Sequence, residues 1–135
     1  MSTQPSPATL TLLARQLRDV HKILIDLETQ YFGNVGSPLE HLQLLTNHPH
    51  FAWLQKLSGL MAAFDERLDQ PEPVTAAEAA DFRAAIENLL GPAEPGDADF
   101  QRRYRALLHD APELVMAHGA LRGTLASLPK AAAAK

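Results

Sequence analysis

The segment SPATLTLLARQLRDVHKILIDLETQYFG, residues 6–33, predicts a long amphipathic helix that organises the rest of the chain. Ser6 and Pro7 match the residue preferences of a helix N-cap and first helical position, and Gly33 to Gly36 supplies the end. Apolar side chains recur in steps of three and four, which is the spacing of one helix face. The stripe that we expect to face the core consists of Leu10, Leu13, Leu17, Val20, Leu24, Leu27 and Tyr31.

Helical signals continue along the chain, and no segment shows the sustained alternation of a β-strand. SPLE (Ser37–Glu40) and TAAE (Thr75–Glu78) match the capping box of a helix start, and DAPE (Asp110–Glu113) resembles a third. The predicted helices after the first are a short one carrying Leu39, Leu42 and Leu45, one from about Pro49 to Leu68, one from Thr75 to Gly91, one capped by Asp97, and a last one through Leu114, Leu121, Leu125 and Leu128. The fold class is therefore all-α, an antiparallel helical bundle of four longer helices and two shorter ones.

The composition limits the classes of protein that this chain can represent. Its 135 residues and 46% hydrophobic content suit one soluble domain, which we place at residues 1–128, followed by a flexible Ala/Lys tail at 129–135. The absence of cysteine excludes disulfides and thiolate metal sites, and the start of the chain has no pattern of a secretory signal. No apolar run is long enough to span a bilayer, so we expect a cytoplasmic protein without a membrane partner. A net charge of −4 argues against nucleic acid as a partner, because nucleic-acid binding requires a basic surface.

Polar residues within the apolar stripes mark the candidate site. His21 and Glu28 fall on the inward face of the first helix, and His118 occupies the same kind of position in the last helix. His50 lies on the line of inward residues of the third helix. Buried polar groups need hydrogen-bond partners, and the sequence leaves open whether these side chains converge in the bundle interior or bond to backbone carbonyls. The favoured interpretation is an interior His/Glu network that supports the packing.

Two alternatives keep a ligand at these positions. Imidazoles with a carboxylate suit zinc or iron, which makes His21, Glu28 and His118 metal candidates, although no cofactor is required by the sequence and the E-x-x-H and H-x-x-x-H spacings are missing. The other alternative is an organic ligand anchored by the same side chains, with His50 and Trp53 beside it. Trp53 itself fits a core anchor better than a stacking platform.

The segment NHPHFAW, residues 47–53, predicts a helix start at Pro49. Proline disfavours helix at the residue before it, so His48 is the expected N-cap, with Asn47 as the competitor. A metal held by His41, His48 and His50 is disfavoured because the positive end of the helix dipole lies there. The same dipole favours an anion at free backbone N–H groups of Phe51 and its neighbours.

Three stretches, RDVHKILIDLE, SPLEHLQLLTNHPHFAWLQKLSGLMAAFD and RYRALLHDAPELVMAHGALRGTL, resemble a group of small uncharacterised bacterial all-α proteins. That group carries H-K-x-L, FAWL-x-x-LS and P-x-x-V-x-A-H pieces in this order, and the likeness spans about Arg18 to Leu125. The resemblance implies a cytoplasmic helical domain and supplies no functional residues. Since the chain also lacks a catalytic motif, we expect a non-enzymatic domain that contacts a protein partner or a second copy of itself, as a homodimer.

Overall fold

The computed structural model describes residues 5–33, 36–91 and 96–130, and this part of the chain is all-helical. Its helices pack together and run in the order α1 (Pro7–Phe32), α2 (Pro38–Asn47), α3 (Pro49–Ala52), α4 (Gln55–Leu68), α5 (Ala76–Leu90), α6 (Ala98–Asp110) and α7 (Pro112–Ala126). The predicted all-α class is confirmed. Within the described ranges, no helix combines the length and apolar character needed to cross a membrane.

Most helix starts carry the predicted caps. The Ser6 side chain accepts a hydrogen bond from the N–H of Thr9, so Ser6 is the N-cap of α1. The capping boxes that begin α2 and α5 are both complete, and Asp97 caps α6 through the N–H of Phe100. With His48, whose side chain caps α3, the sequence rules for helix starts are therefore confirmed at five of the seven described helices by side-chain hydrogen bonds.

The predicted capping box at Asp110 and Glu113 is wrong. α6 continues through Asp110, and Ala111 is the N-cap of α7 without a side-chain hydrogen bond. The reason is Pro112, whose ring pushes the preceding residue out of the helical region. Ala111 accordingly has extended backbone angles (φ −127°, ψ 103°), so the break between the helices falls there.

The buried face of α1 follows a true helical repeat and departs from the predicted stripe at its end. Leu10, Leu17 and Leu24 are buried as predicted, whereas Tyr31 is 58% exposed and its predicted core position is wrong. Tyr31 is separated from Leu10 by three heptads, over which a helix of 3.6 residues per turn drifts by about 60°. Glu28 follows Leu10 by five full turns of about 3.6 residues, and it is buried instead.

The third predicted helix, from Pro49 to Leu68, is divided into α3 and α4 by a turn at Trp53 and Leu54. The backbone N–H of Leu54 donates to the carbonyl oxygen of Phe51, three residues earlier. Phe51, Trp53 and Leu54 are all buried. A continuous helix would separate Phe51 and Trp53 by about 200° around its axis. The turn allows both aromatic side chains to enter the core.

The helices share one hydrophobic core, in which α1 packs mainly against α7 and α4. Side chains with less than 2% exposure include Leu13, Leu17, Leu24, Phe51, Leu57, Phe64, Ile86, Phe100, Tyr104, Leu114, Leu121 and Leu125. An ion pair also joins two of the helices to each other. Arg67 of α4 pairs with Glu78 of α5 at 2.6 Å, and this guanidinium lowers the pKa of the Glu78 carboxyl to about 2.

α2 is attached differently, because it packs mainly on α3. Leu44 and Leu45 are partly buried against the core, but Leu39 is 64% exposed and Leu42 is 59% exposed. Two leucines of the α2 stripe therefore lie outside the core.

Several predicted features lie wholly or partly outside the described residues. The connection between α5 and α6 includes residues 92–95, and the predicted tail at 129–135 is described only at residues 129 and 130. The division into a domain at 1–128 and a tail stays a prediction.

Candidate functional site

The Glu28 carboxylate is the most buried acidic group near the predicted site, with the residue only 8% exposed. Its Oε2 atom accepts a hydrogen bond of 2.8 Å from Nε1 of Trp53. The turn after α3 brings that indole N–H to α1, where it has a charged acceptor. Charged acceptors form stronger hydrogen bonds than neutral ones, so this contact stabilises the junction between α1 and the α3–α4 turn.

His50 contacts the same residue of α1. Its Nε2 atom lies 3.0 Å from the carbonyl oxygen of Glu28 and 3.8 Å from the carboxylate Oε1. A carbonyl oxygen only accepts, so Nε2 carries the proton and donates to it. The structure thus brings together three of the predicted site residues, Glu28, His50 and Trp53.

His48 is the N-cap of α3, as predicted. Its Nδ1 atom accepts a 3.0 Å hydrogen bond from the backbone N–H of His50. An imidazole nitrogen accepts only when it carries no proton, so Nδ1 is unprotonated in this contact. The N–H of Phe51 donates to the carbonyl oxygen of His48, also at 3.0 Å. The free N–H at Phe51 that the predicted anion site requires is therefore not found, because His48 accepts from both donors, through Nδ1 and through its carbonyl oxygen.

Three rings at the start of α3 pack on Phe32 of α1. The Phe32 ring centroid lies 4.8 Å from that of His48 and 5.5 Å from those of His50 and Phe51. His41 of α2 is held separately by a 3.0 Å hydrogen bond between its Nε2 and Oγ1 of Thr29. Each of the three histidines considered for a metal site thus has its own protein contact.

His21 lies elsewhere, beside α4. It is half-buried, and its Nε2 atom is 3.3 Å from Oγ of Ser58. Burial lowers the pKa of the His21 imidazole below its ordinary value, because the charged form loses hydration. His21 and Ser58 also line an open cleft of about 370 Å³ between α1, α2 and α4.

His118 has a third set of partners. Its Nδ1 atom lies 2.7 Å from the hydroxyl of Tyr104, a residue of α6 that is only 1% exposed. Burial and the nearby charge of Arg122 lower the pKa of His118, and burial raises the pKa of the Tyr104 hydroxyl. The neutral forms favour a hydrogen bond in which the Tyr104 hydroxyl donates to Nδ1.

The convergence of His21, Glu28 and His118, which the sequence left open, is therefore not found. No hydrogen bond or ion pair joins these three residues to one another in residues 5–33, 36–91 and 96–130. His21 and Glu28 are seven residues apart, or about 10.5 Å along the helix axis. In the same ranges, no three His, Asp or Glu side chains form a group that could hold a metal ion.

Two partners in these pairs were absent from the predicted set of site residues, Ser58 and Tyr104. Ser58 follows Leu54 by one turn, so it lies about 40° from an inward side chain. Tyr104 belongs to the predicted stripe of α6 and carries a hydroxyl that must find a partner when buried. Both signals are present in the sequence, but they do not show which histidine forms a hydrogen bond with which hydroxyl.

Comparisons of this chain with protein-family models, with curated proteins and with solved structures return no match. The resemblance to small bacterial helical proteins stays a prediction.

Proposed function

We propose that this chain is a non-enzymatic helical interaction domain that pairs with a second copy of itself through the outer side of α2. The observation that carries the proposal is the exposure of Leu39 and Leu42, at 64% and 59%. The two leucines are three residues apart, so they lie on one face of the helix. Single exposed apolar residues are ordinary, but an apolar helix face outside the core is typical of a contact surface.

The charge of α2 favours a second copy as the partner. Its one carboxylate, that of Glu40, accepts a hydrogen bond from the N–H of Ser37 at the start of its own helix. The face of Leu39 and Leu42 therefore meets a copy of itself without placing like charges opposite each other. A two-fold dimer requires such self-complementarity. Tyr31, which is 58% exposed in the last turn of α1, is a further exposed apolar side chain in the helix that precedes α2.

The buried network around Glu28 supports a structural role. Its carboxylate and main-chain carbonyl are used by Trp53 and His50, which ties α1 to the turn between α3 and α4. These two contacts hold α3 against α1, and α2 packs mainly on α3. The alternative proposal is a metal- or ligand-binding bundle that uses His21, Glu28 and His118, with zinc or iron as the metal. It has less support, because those residues have separate partners.

The proposed arrangement of the helices is antiparallel between neighbours. Along α1, His21 pairs with Ser58 and Arg18 pairs with Asp65, so positions advance in opposite directions on α1 and α4. Between α4 and α5, the pairing of Arg67 in the last turn of α4 with Glu78 in the first turn of α5 supports the same relation. A cytoplasmic location belongs to the same proposal and rests on the composition and the resemblance.

The test is the mass of the full chain in solution at increasing concentration, measured by analytical ultracentrifugation. We expect a dimer whose dissociation constant rises at least tenfold in Leu39→Glu/Leu42→Glu. Val115→Glu/Met116→Glu is the matched control, because Val115 and Met116 of α7 are 51% and 76% exposed and the same two charges are added away from α2. It should dimerise like the wild type. A wild type that stays monomeric, or a control that weakens the dimer equally, would contradict the proposal.

A further inference from the structure

The cleft beside His21 combines apolar walls with a few polar side chains. Its volume of about 370 Å³ lies within the range of small-molecule pockets. Apolar side chains, among them Ile25, Leu45 and Leu54, form its walls, and four polar side chains, His21, Thr46, Gln55 and Ser58, share the lining. An apolar wall with a few polar anchors is the usual composition of a ligand pocket.

The polar side chains at the cleft retain hydrogen-bonding capacity. The Ser58 hydroxyl donates to the carbonyl oxygen of Leu54 at 3.1 Å, so its 3.3 Å contact with His21 uses the N–H at Nε2 of the histidine as donor. In this tautomer, Nδ1 of His21 is an acceptor. Within the described ranges, the only buried side-chain polar atom without a partner is Oε1 of Gln16, so Nδ1 of His21 is not sealed in the core. It can accept from a molecule that enters.

The charge of the lining decides what kind of molecule fits. None of the lining residues is Asp, Glu, Lys or Arg, and burial keeps the pKa of His21 below its ordinary value. A charged ligand would lose part of its hydration in the cleft without meeting an opposite charge, so it binds more weakly than an uncharged one. An uncharged ligand with an apolar body avoids that cost.

We propose that this cleft binds an uncharged small organic molecule with an apolar ring or chain and one hydroxyl or amide group that hydrogen-bonds to His21 and Ser58. The site is separate from the outer face of α2 and from the Glu28 network. It uses one of the sequence-predicted site residues, His21, with a neighbour on α4 that the predicted site did not include.

The experiment is an NMR titration of the full chain with three probes that share one ring system: 2-naphthol, naphthalene and 2-naphthoate. We expect 2-naphthol to shift the methyl signals of Ile25, Leu45 and Leu54 and to bind at least fivefold more tightly than the other two. The hydroxyl explains the difference from naphthalene, and the missing positive charge explains the difference from 2-naphthoate.

Two variants test the named anchors. His21→Phe should weaken 2-naphthol binding at least fivefold and Ser58→Ala at least threefold, whereas the control His118→Asn, at a half-buried histidine away from the cleft, should stay within twofold. Ser58→Ala decides the question if His21→Phe loses its fold by circular dichroism. The proposal is overturned if 2-naphthol does not bind, if the shifted signals lie outside the cleft, if 2-naphthoate binds as tightly, or if Ser58→Ala binds like the wild type.

Discussion

Glu28 and His21 lie two turns apart on α1, and the protein surrounds them in opposite ways. Glu28 is 8% exposed, and its carboxylate receives the buried indole N–H of Trp53. His21 is half-buried beside an open cleft, and its partner is a serine at 3.3 Å. The same sequence signal, a polar residue on an apolar stripe, therefore marks a closed structural contact at one position and an accessible side chain at the other.

The partners explain the difference. An indole N–H donates only and has no other use in the core, so it requires the acceptor that Glu28 provides. A serine hydroxyl can satisfy itself within its own helix, as Ser58 does with the carbonyl oxygen of Leu54. Glu28 is thus needed by its partner, whereas His21 is not.

The largest effect on stability should follow the substitution Glu28→Ala. It leaves the N–H of Trp53 buried without an acceptor, so we expect the free energy of unfolding to fall by about 2–3 kcal/mol. Glu28→Gln is the matched control, because it keeps an acceptor of the same length and should lose only about half as much. Urea unfolding followed by circular dichroism measures both. A loss below about 0.5 kcal/mol for Glu28→Ala would remove the structural role from this contact.

A smaller effect should appear in the pH dependence of stability. Burial lowers the pKa of His21 from 6.5, so the unfolded chain binds more protons than the folded chain as the pH falls through that value. Stability that is present above pH 6.5 is therefore lost as the pH falls towards the folded-state pKa. We expect the wild type to lose stability relative to His21→Gln between pH 7.5 and pH 5. The variant places a side-chain amide near Ser58 that does not titrate.

The measurement is the urea midpoint of both proteins at each pH. Parallel changes in the two proteins would show that His21 has the same pKa in the folded and unfolded chains. His118→Asn offers a second comparison, because burial and Arg122 lower the pKa of His118 in the same direction. Its asparagine keeps an acceptor for the Tyr104 hydroxyl.

Local rules account for much of the fold. Ser6, Ser37 and His48 each precede a proline, and each is the N-cap of the helix that follows. The same rule applied to Pro112 would have identified Ala111 as the break between α6 and α7, where acidic residues at Asp110 and Glu113 had suggested a capping box. Backbone restriction before proline outweighs the side-chain pattern there.

The spacing of residues along the sequence could not predict which helices contact each other. The turn at Trp53 exists because Phe51 and Trp53 are both buried, which depends on the surfaces that α1 and α6 present to them. Spacing placed His21, Glu28 and His118 on inward faces, but an inward face does not say which neighbouring helix supplies the partner. In the structure, His21 pairs with Ser58, Glu28 with Trp53 and His118 with Tyr104.

The central claim, that the polar residues of α1 belong to separate contacts, is tested most directly by a double-mutant cycle between His21→Ala and Glu28→Ala at pH 7.5. The two side chains are about 10.5 Å apart along the helix and share no partner, so their effects on the free energy of unfolding should add within about 0.5 kcal/mol. An interaction energy above about 1 kcal/mol would contradict the account and return the two residues to a single site.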